Sequence, residues 1–527
     1  MVVVEFSYKE MRSLVDIPRE KMVESLSELG APSEYEKETD KILAELTPNR
    51  PDWYSMEGLA RALKAYLKKE HVQYNAVESD YRVVVDPSVE MVRPHTTCAV
   101  VRGLKFNDRR IRDVVLLQEK LLATLGRRVK KFGLGLYPLQ AITFPVKYTT
   151  MKPEEIRYVP LGHEKEMSAP EIIKDHKKGQ EYGHLIEGFE RYPVFVDNKG
   201  RIMALIPVVN SAETGKVDLD TEDIFIEVTG TDINACRAAL NILVCTFADM
   251  GGTVHKVTVE RGKEQCAEPD LQDRQLKLEL EKANRVLGTD LNESKAKDLL
   301  GRMGYRYHDG VVSIPPYRAD IISFIDVVED LAIAYGYNNF IPSTPGFFTP
   351  GKTIRRYDRI DSTMRGMGFL ETTTFILTNK EKLARIGCKG GFVELENPST
   401  REYTAVRPTI LADILDVFAT NKMKGLPQKF YEIGYVQDGS SRKKLAFGEM
   451  DKKIGFSEFR GVLQSLAKEC GFEFELEKKP HPALDRDLSC VVMADGKEVG
   501  VFGKIGKELA EQLGIGFDVY VCEMEAI

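Results

Sequence analysis

The clearest helical signal in the pattern of apolar and polar positions lies between Phe324 and Tyr335. Phe324, Val328, Leu331 and Tyr335 recur at i, i+4, i+7 and i+11, which predicts one buried stripe on an α-helix. Asp326, Glu329 and Asp330 are expected together on the opposite side, with Asp320 at the mouth of the helix. An extended apolar segment from Val312 runs through Pro315-Pro316 into this helix.

The same order of signals occurs near the start of the chain. The amphipathic run REKMVESLSELG ends at Gly30, and Pro48-Asn49-Arg50-Pro51-Asp52 then leads into a helix containing Leu59-Ala60-Arg61-Ala62. This echoes Pro316-Tyr317-Arg318-Ala319-Asp320 followed by Leu331-Ala332-Ile333-Ala334. Two related helix-extended-helix modules, 1–75 and 270–341, are therefore expected to flank an inserted domain. That insertion, 80–265, mixes strand-like runs such as CAVVRGL, IMALIPVV and DIFIEVTG with helical CRAALNILVCTFADM, the pattern of an α+β domain.

From Pro342 the link PSTPGFFTPGK leads into a last domain, 342–527. There YDRIDSTMRGMGFLETTTFILT and TAVRPTILADILDVFATNKMKG read as helices, while FVELEN, KFYEIGYVQ, SCVVMADGK and EVGVFGKIG read as antiparallel strands. The fold class expected is α+β and multidomain.

Composition narrows the function classes. The 527 residues, 43% hydrophobic and 29% charged, are enough for several cores. No apolar run approaches the ~20 residues that span a bilayer, so no membrane role is expected. The eight cysteines form no CxxC pair, which fits reduced thiols and a cytoplasmic location. A net charge of -7 opposes whole-surface attraction to nucleic acid, so any RNA contact must be regional. Arg127, Arg128, Lys130 and Lys131, just past a helix end, suit either the negative end of that helix or a phosphate.

The acids of the second module admit two readings. Oxygen-only donors suit a hard cation such as Mg²⁺, whereas a solvated acidic face with Asp320 as N-cap needs no ion. The first module keeps only Asp52 and Glu57, so no metal is expected there.

In order and spacing, LTPNRPDWYSMEGLARAL, YPVFVDNKGRIMALIPVVNS, FIEVTGTD, IPPYRADIISFIDVVEDLAIAYGYNN and ENPSTREYTAVRPTILADIL resemble the β subunit family of phenylalanyl-tRNA synthetase, archaeal and eukaryotic type. The likeness extends over essentially the whole length. It implies an α2β2 ligase that charges tRNA(Phe) with phenylalanine, ATP being bound by the α subunit. This chain would scaffold α, contact tRNA and hydrolyse mischarged tyrosyl-tRNA(Phe), since a phenylalanine pocket rejects an added hydroxyl poorly.

The resemblance further implies that Asp320, Asp326, Glu329 and Asp330 bind Mg²⁺ near α. Editing positions carry over to Ile202, where leucine is usual, to Ser211, to Asp232 and to Asn234, where threonine is common. From the residues alone Ser211 reads equally as a turn residue and Asp232 as an N-cap. The last domain resembles a degenerate class II synthetase sheet. Phe430 and Tyr431 stand where an arginine for the ATP phosphate is needed, and the segment with Gly500, Gly503 and Gly506 lacks a second one. Two rival readings are an independent class II ligase and a non-enzymatic tRNA-binding scaffold.

Overall fold

The computed structural model describes residues 2–344, 346, 351 and 357–526, so most of the expected link PSTPGFFTPGK lies outside the described residues. Two compact units result, 1–344 and 345–527.

The internal repeat is a repeat of topology. Each module has a three-stranded sheet with its last strand in the middle. The orders are Val2–Ser7, Lys41–Leu46, Ser33–Glu36 and Arg274–Lys277, Val311–Ile314, Arg306–His308. A helix joins the first two strands, Arg19–Glu28 in one copy and Glu293–Arg302 in the other. Another follows the sheet, Met56–Lys68 and Phe324–Tyr335.

The modules do not stand apart from the insertion. Leu26, Leu63, Leu240, Leu300 and Leu331 belong to one continuous core, because each helix has an apolar stripe that only its neighbours can cover. Polar contacts reinforce the junction. The Arg61 guanidinium lies 4.0 Å from the Tyr317 ring centroid and donates to Tyr74 (3.0 Å) and to Asp249.

The insertion is built on a ten-stranded sheet. Its main path runs Val209–Asn210, Ile202–Leu205, Tyr192–Val196, Val146–Met151, Arg82–Val85, Thr253–Arg261, His95–Arg102, Ile224–Gly230, Phe132–Pro138, and Glu264–Glu268 pairs with Thr253–Arg261. Ile224, Ile226 and Val228 share a core with Leu240 and Phe247 of the helix Ile233–Asp249, while Phe225, Tyr137 and Tyr148 belong to a second core. The sheet curls until its ends meet, with Asn210 Nδ2 donating to Leu136 O (3.5 Å) and Tyr137 Oη 3.2 Å from Asn210 Oδ1.

The second unit is a seven-stranded sheet, antiparallel except that Leu370–Glu371 runs parallel to Gln428–Gln437. Helices Asp358–Gly366 and Phe456–Cys470 share one core with it, Leu411–Asn421 and Lys507–Leu513 another. Two expectations are corrected. The helix predicted over YDRIDSTMRGMGFLETTTFILT ends at Gly366, and Leu370–Glu371 and Leu377–Thr378 are short strands, since Gly368 turns left-handed (φ 82°) before a β-branched run. FVELEN contributes only an isolated bridge, Glu394 with Ala405.

Candidate functional site

Around the acidic helix the organising side chain is Arg318, fully buried at 1% exposure. Its Nε donates to Asp320 Oδ1 (2.8 Å) and its Nη2 to Asp320 Oδ2 and Asp330 Oδ2 (2.7 Å each). Tyr305 Oη donates to the same Asp330 oxygen. Burial raises the Asp320 carboxyl, but the charge and hydrogen bonds of Arg318 outweigh it and hold the group down at about 2.

The expected face of three acids is corrected here. Asp330 points into the core, Glu329 is exposed, and Asp326 turns back to accept from Ile322 N (2.8 Å) and Ser323 N (2.6 Å). The helix is capped by Ser323 with Asp326 in a capping box, not by Asp320. Val328 and Leu331 are buried as expected, while Phe324 and Tyr335 are half-buried. Donor chemistry at Asp320, Asp326, Glu329 and Asp330 suits Mg²⁺, but their placement does not. Among the described residues no three acids converge closely enough to hold a metal, and Arg318 already engages two of the four.

The four candidate editing residues form two pairs. Ile202 begins the strand Ile202–Leu205, and Ser211 N donates to Met203 O (2.7 Å) beside it. Ser211 is buried, and its Oγ accepts from Glu213 N (3.2 Å), a turn contact. Asp232 caps the helix Ile233–Asp249 through Oδ1, which accepts from Asn234 N and Ala235 N (3.1 Å each). Its Oδ2 accepts from Lys131 Nζ (2.8 Å), and that bond with the cap holds the carboxyl below the usual range.

The pairs do not converge. Lys131 precedes the strand Phe132–Pro138, whereas Asn210, next to Ser211, meets Tyr137 near its far end. Seven residues of strand span roughly 20 Å. Asn234 is exposed and lies on a cleft of about 490 Å³ lined also by Arg237, Asn241, Arg274 and Arg318.

Sequence reasoning missed two features of this domain. Glu227 is buried inside the curled sheet and its pKa is pushed up to about 8 by burial, so it is mainly protonated at neutral pH. Tyr137 Oη lies 3.4 Å from Oε1, and Oε2 has no hydrogen-bond partner among the described residues. The signal was a single acid in the apolar strand IFIEVTG. The second feature is the turn after the helix Asp108–Ala123, where Arg127, Arg128 and Val129 are consecutively left-handed (φ 48°, 53°, 66°). Side chains disfavour this region by about 1–2 kcal/mol per residue. Val129 O is fixed from below by Nη2 of buried Arg93 (3.2 Å), which also reaches Thr229 O (3.0 Å).

Comparison with known proteins bears on the whole chain. The β subunit of phenylalanine--tRNA ligase from Archaeoglobus fulgidus is 35% identical over 100% of this chain and 98% of its own length. The chain belongs to the phenylalanine--tRNA ligase β subunit family. The Methanothrix thermoacetophila β subunit is 33% identical over 100% of this chain and 99% of its own. Models described as the tRNA synthetase B5 domain and the phenylalanyl tRNA synthetase β chain CLM domain match residues 276–337 and 338–526. A crystallised N-terminal fragment of the β subunit from Pyrococcus horikoshii superposes with a TM-score of 0.60 at 31% identity, over 63% of this chain and 99% of the fragment. That β subunit fragment resembles the mixed α and β architecture seen here.

In the part matched by the CLM model, Phe430 and Tyr431 have structural roles. Tyr431 is fully buried and donates to Asp361, and Phe430 packs 5.1 Å from Phe418, each contributing to a different core. Arg407, buried just past the short strand Ala405–Val406, is engaged by Glu432 (2.7 Å), Asp413 (3.1 Å) and Tyr435 O (2.9 Å). The Gly500 and Gly503 positions permit close strand approach, since a Cβ at either would sit 2.2 Å from a neighbouring carbonyl oxygen. Eight free cysteines carry no disulfide, and among the described residues no helix is long and apolar enough to cross a membrane.

Proposed function

We propose that this chain joins a catalytic α subunit in an α2β2 phenylalanine--tRNA ligase of the cytoplasm. In it the chain scaffolds α, holds tRNA(Phe) and hydrolyses mischarged tyrosyl-tRNA(Phe). The observation that carries this is the relationship over 100% of the chain to β subunits of that ligase. Phenylalanine activation with ATP belongs to α in this reading, and the last domain acts as a non-catalytic, class II-like partner for it. Both aromatics at the phosphate position serve the cores of the sheet.

Editing recognition is assigned to the Asp232 end of the strand, where Asn234 reaches the cleft. Ile202 and Ser211, at the far end of that strand, are a separate contact for the substrate and not part of this cleft. No step of this reading runs through Mg²⁺. The test is deacylation of tyrosyl-tRNA by the α/β complex, measured beside its charging rate. A hydrogen bond to a charged group contributes about 1.5–3 kcal/mol, so Asp232→Ala should slow deacylation roughly ten- to a hundredfold with charging intact. Asp232→Asn retains the cap and loses only the half-exposed ion pair to Lys131, so it should slow deacylation with at most a small loss of thermal stability. Unchanged deacylation in both variants would remove Asp232 from editing.

One observation favours a second reading, a tRNA-binding scaffold without hydrolysis. Both Asp232 oxygens and Ser211 Oγ already have structural partners. Absence of tyrosyl-tRNA deacylation by the parent complex would select it.

A further inference from the structure

The strained turn between the helix Asp108–Ala123 and the strand Phe132–Pro138 presents an unusual combination of backbone and charge. Left-handed residues elsewhere in the described chain, glycine aside, are isolated, as at Asp40, Lys69, Asp309 and Asp495. Only here do three follow one another, and two of them are arginines. The turn buries Val129, whose carbonyl Arg93 holds, and by the same winding leaves Arg127, Arg128 and Lys130 exposed. Thr231 N and Oγ1 fasten the far side by donating to Lys131 O (2.9 Å) and Lys130 O (3.1 Å).

Charge follows a division of labour. Lys131 is spent on Asp232, whereas Arg127, Arg128 and Lys130 have no ion-pair partner among the described residues. A complement to the helix end would need none of this winding. Three cations held on a rigid loop, in a chain of net charge -7, mark a local anionic partner. Arginine pairs bidentately with phosphate, and a fixed loop avoids the entropy of ordering two long side chains on mobile backbone. The turn also adjoins Asp232 and, two residues further, Asn234 on its cleft.

We propose that this turn docks the sugar-phosphate backbone of the aminoacylated RNA and directs its end towards the Asn234–Arg237 cleft. The proposal rests on the reading of the chain as a tRNA-handling β subunit, but not on hydrolysis. Phosphate contacts position an RNA without reading its sequence, so the turn contributes affinity and register.

The experiment uses the assembled α/β complex, with an uncharged tRNA(Phe) transcript for binding and a tyrosine-charged transcript for deacylation, at salt from about 50 to 200 mM. Arg127→Gly, Arg128→Gly and Lys130→Ser are combined. Glycine fits the left-handed backbone, so the thermal midpoint should stay level or rise while the dissociation constant for the transcript grows roughly ten- to a hundredfold. The slope of log affinity against log salt should shallow by about 2–3, the number of phosphates released. If the parent complex deacylates, KM should rise with kcat retained. If it does not, the binding arm still decides. Unchanged affinity and salt slope in a stably folded variant would overturn the proposal. Weakened α/β association with unchanged RNA affinity would overturn it too, by giving the turn to a protein partner.

Discussion

In the first module Arg50 grips Asp52 through Nε (2.9 Å) and Nη2 (2.8 Å), and its guanidinium lies 3.7 Å from the Trp53 ring centroid. In the second, Arg318 grips Asp320 in the same fork (2.8 and 2.7 Å) but shares its Nη2 with Asp330. Aligning Leu59-Ala60 with Leu331-Ala332 puts Gly58 where the second copy has Asp330. A Cβ at Gly58 would sit 1.9 Å from Asp52 O, so that position has room for no side chain. One copy has closed its fork against its own backbone and is charge-balanced. The other has opened the helix by a side chain and carries one carboxylate more than its arginine can neutralise. A duplicated scaffold thus keeps its arginine-aspartate staple while the residue one turn away decides whether the fork has surplus charge.

The largest expected effect breaks the second fork. Arg318→Ala leaves Asp320 and Asp330 without their counter-ion, Asp330 in the core, and removing one partner of a buried pair costs about 3–5 kcal/mol. Arg50→Ala orphans one carboxylate and should cost less. Chemical unfolding of the first unit, followed by the fluorescence of the chain's single tryptophan, Trp53, measures both. Equal costs would mean that Asp330 draws nothing from Arg318.

Next comes the closed position itself. Gly58→Ala drives a methyl into Asp52 O and should cost about 1–3 kcal/mol through backbone displacement. Gly301→Ala, in the helix Glu293–Arg302, meets only ordinary contacts at 3.6 Å from His71 and should be neutral or stabilising by up to about 1 kcal/mol. If both substitutions behaved alike, closure of the first fork would not explain its missing acid.

Much of this was legible in the chain because it is written in period and punctuation. The proline turn, the Arg-x-Asp spacing and the following apolar stripe gave the two modules, and the structure adds their shared strand order. The acids were harder. At i, i+3 and i+4 they read as one face, but a helix spacing fixes neighbours and not which neighbour a buried arginine from the preceding turn will claim. Arg318 pulled Asp330 inward, and the capping box took Asp326. Ser211 and Asp232 were legible as local turn and cap. Their separation was not, because it depends on how the curled sheet brings Asn210 against Tyr137 rather than against Lys131.

The two copies should also respond oppositely to pH. Asp320 is held at about 2, below an unfolded value near 3.9, so its stabilisation is present above about pH 4 and is lost as pH falls through 2. Glu57 occupies the place of exposed Glu329, but it is buried and burial raises its pKa. Its contribution is full below an unfolded value near 4.3 and is lost as pH rises through the raised value. Its Oε2 has no hydrogen-bond partner among the described residues. Glu57→Gln should therefore stabilise by about 1 kcal/mol at pH 7 and by nothing near pH 3, whereas Asp320→Asn should destabilise at pH 7. Glu57→Gln destabilising at pH 7 would show that its charge is matched by the nearby Arg109 and Arg110.

The smallest effect sharpens the difference in surplus charge. With Asp320 and Asp330 engaged by Arg318, the carboxylates left for an added cation are half-buried Asp326, one oxygen already in the capping box, and exposed Glu329. Two such groups hold a hydrated divalent ion weakly. For a dissociation constant of about 10 mM, adding about 10 mM Mg²⁺ stabilises the chain by only about 0.4 kcal/mol. The measurement is the unfolding midpoint with and without Mg²⁺, in the parent and in Asp326→Asn. The first module should not respond, and the second should respond within that bound. A shift several times larger, abolished by Asp326→Asn, would mean that the ion draws Asp320 and Asp330 away from Arg318 and gathers all four acids. The fork would then be the metal-free half of an exchange in which arginine and cation compete for the same two carboxylates. In that case Asp320→Asn should weaken Mg²⁺ binding, whereas a fork that stays closed predicts no change.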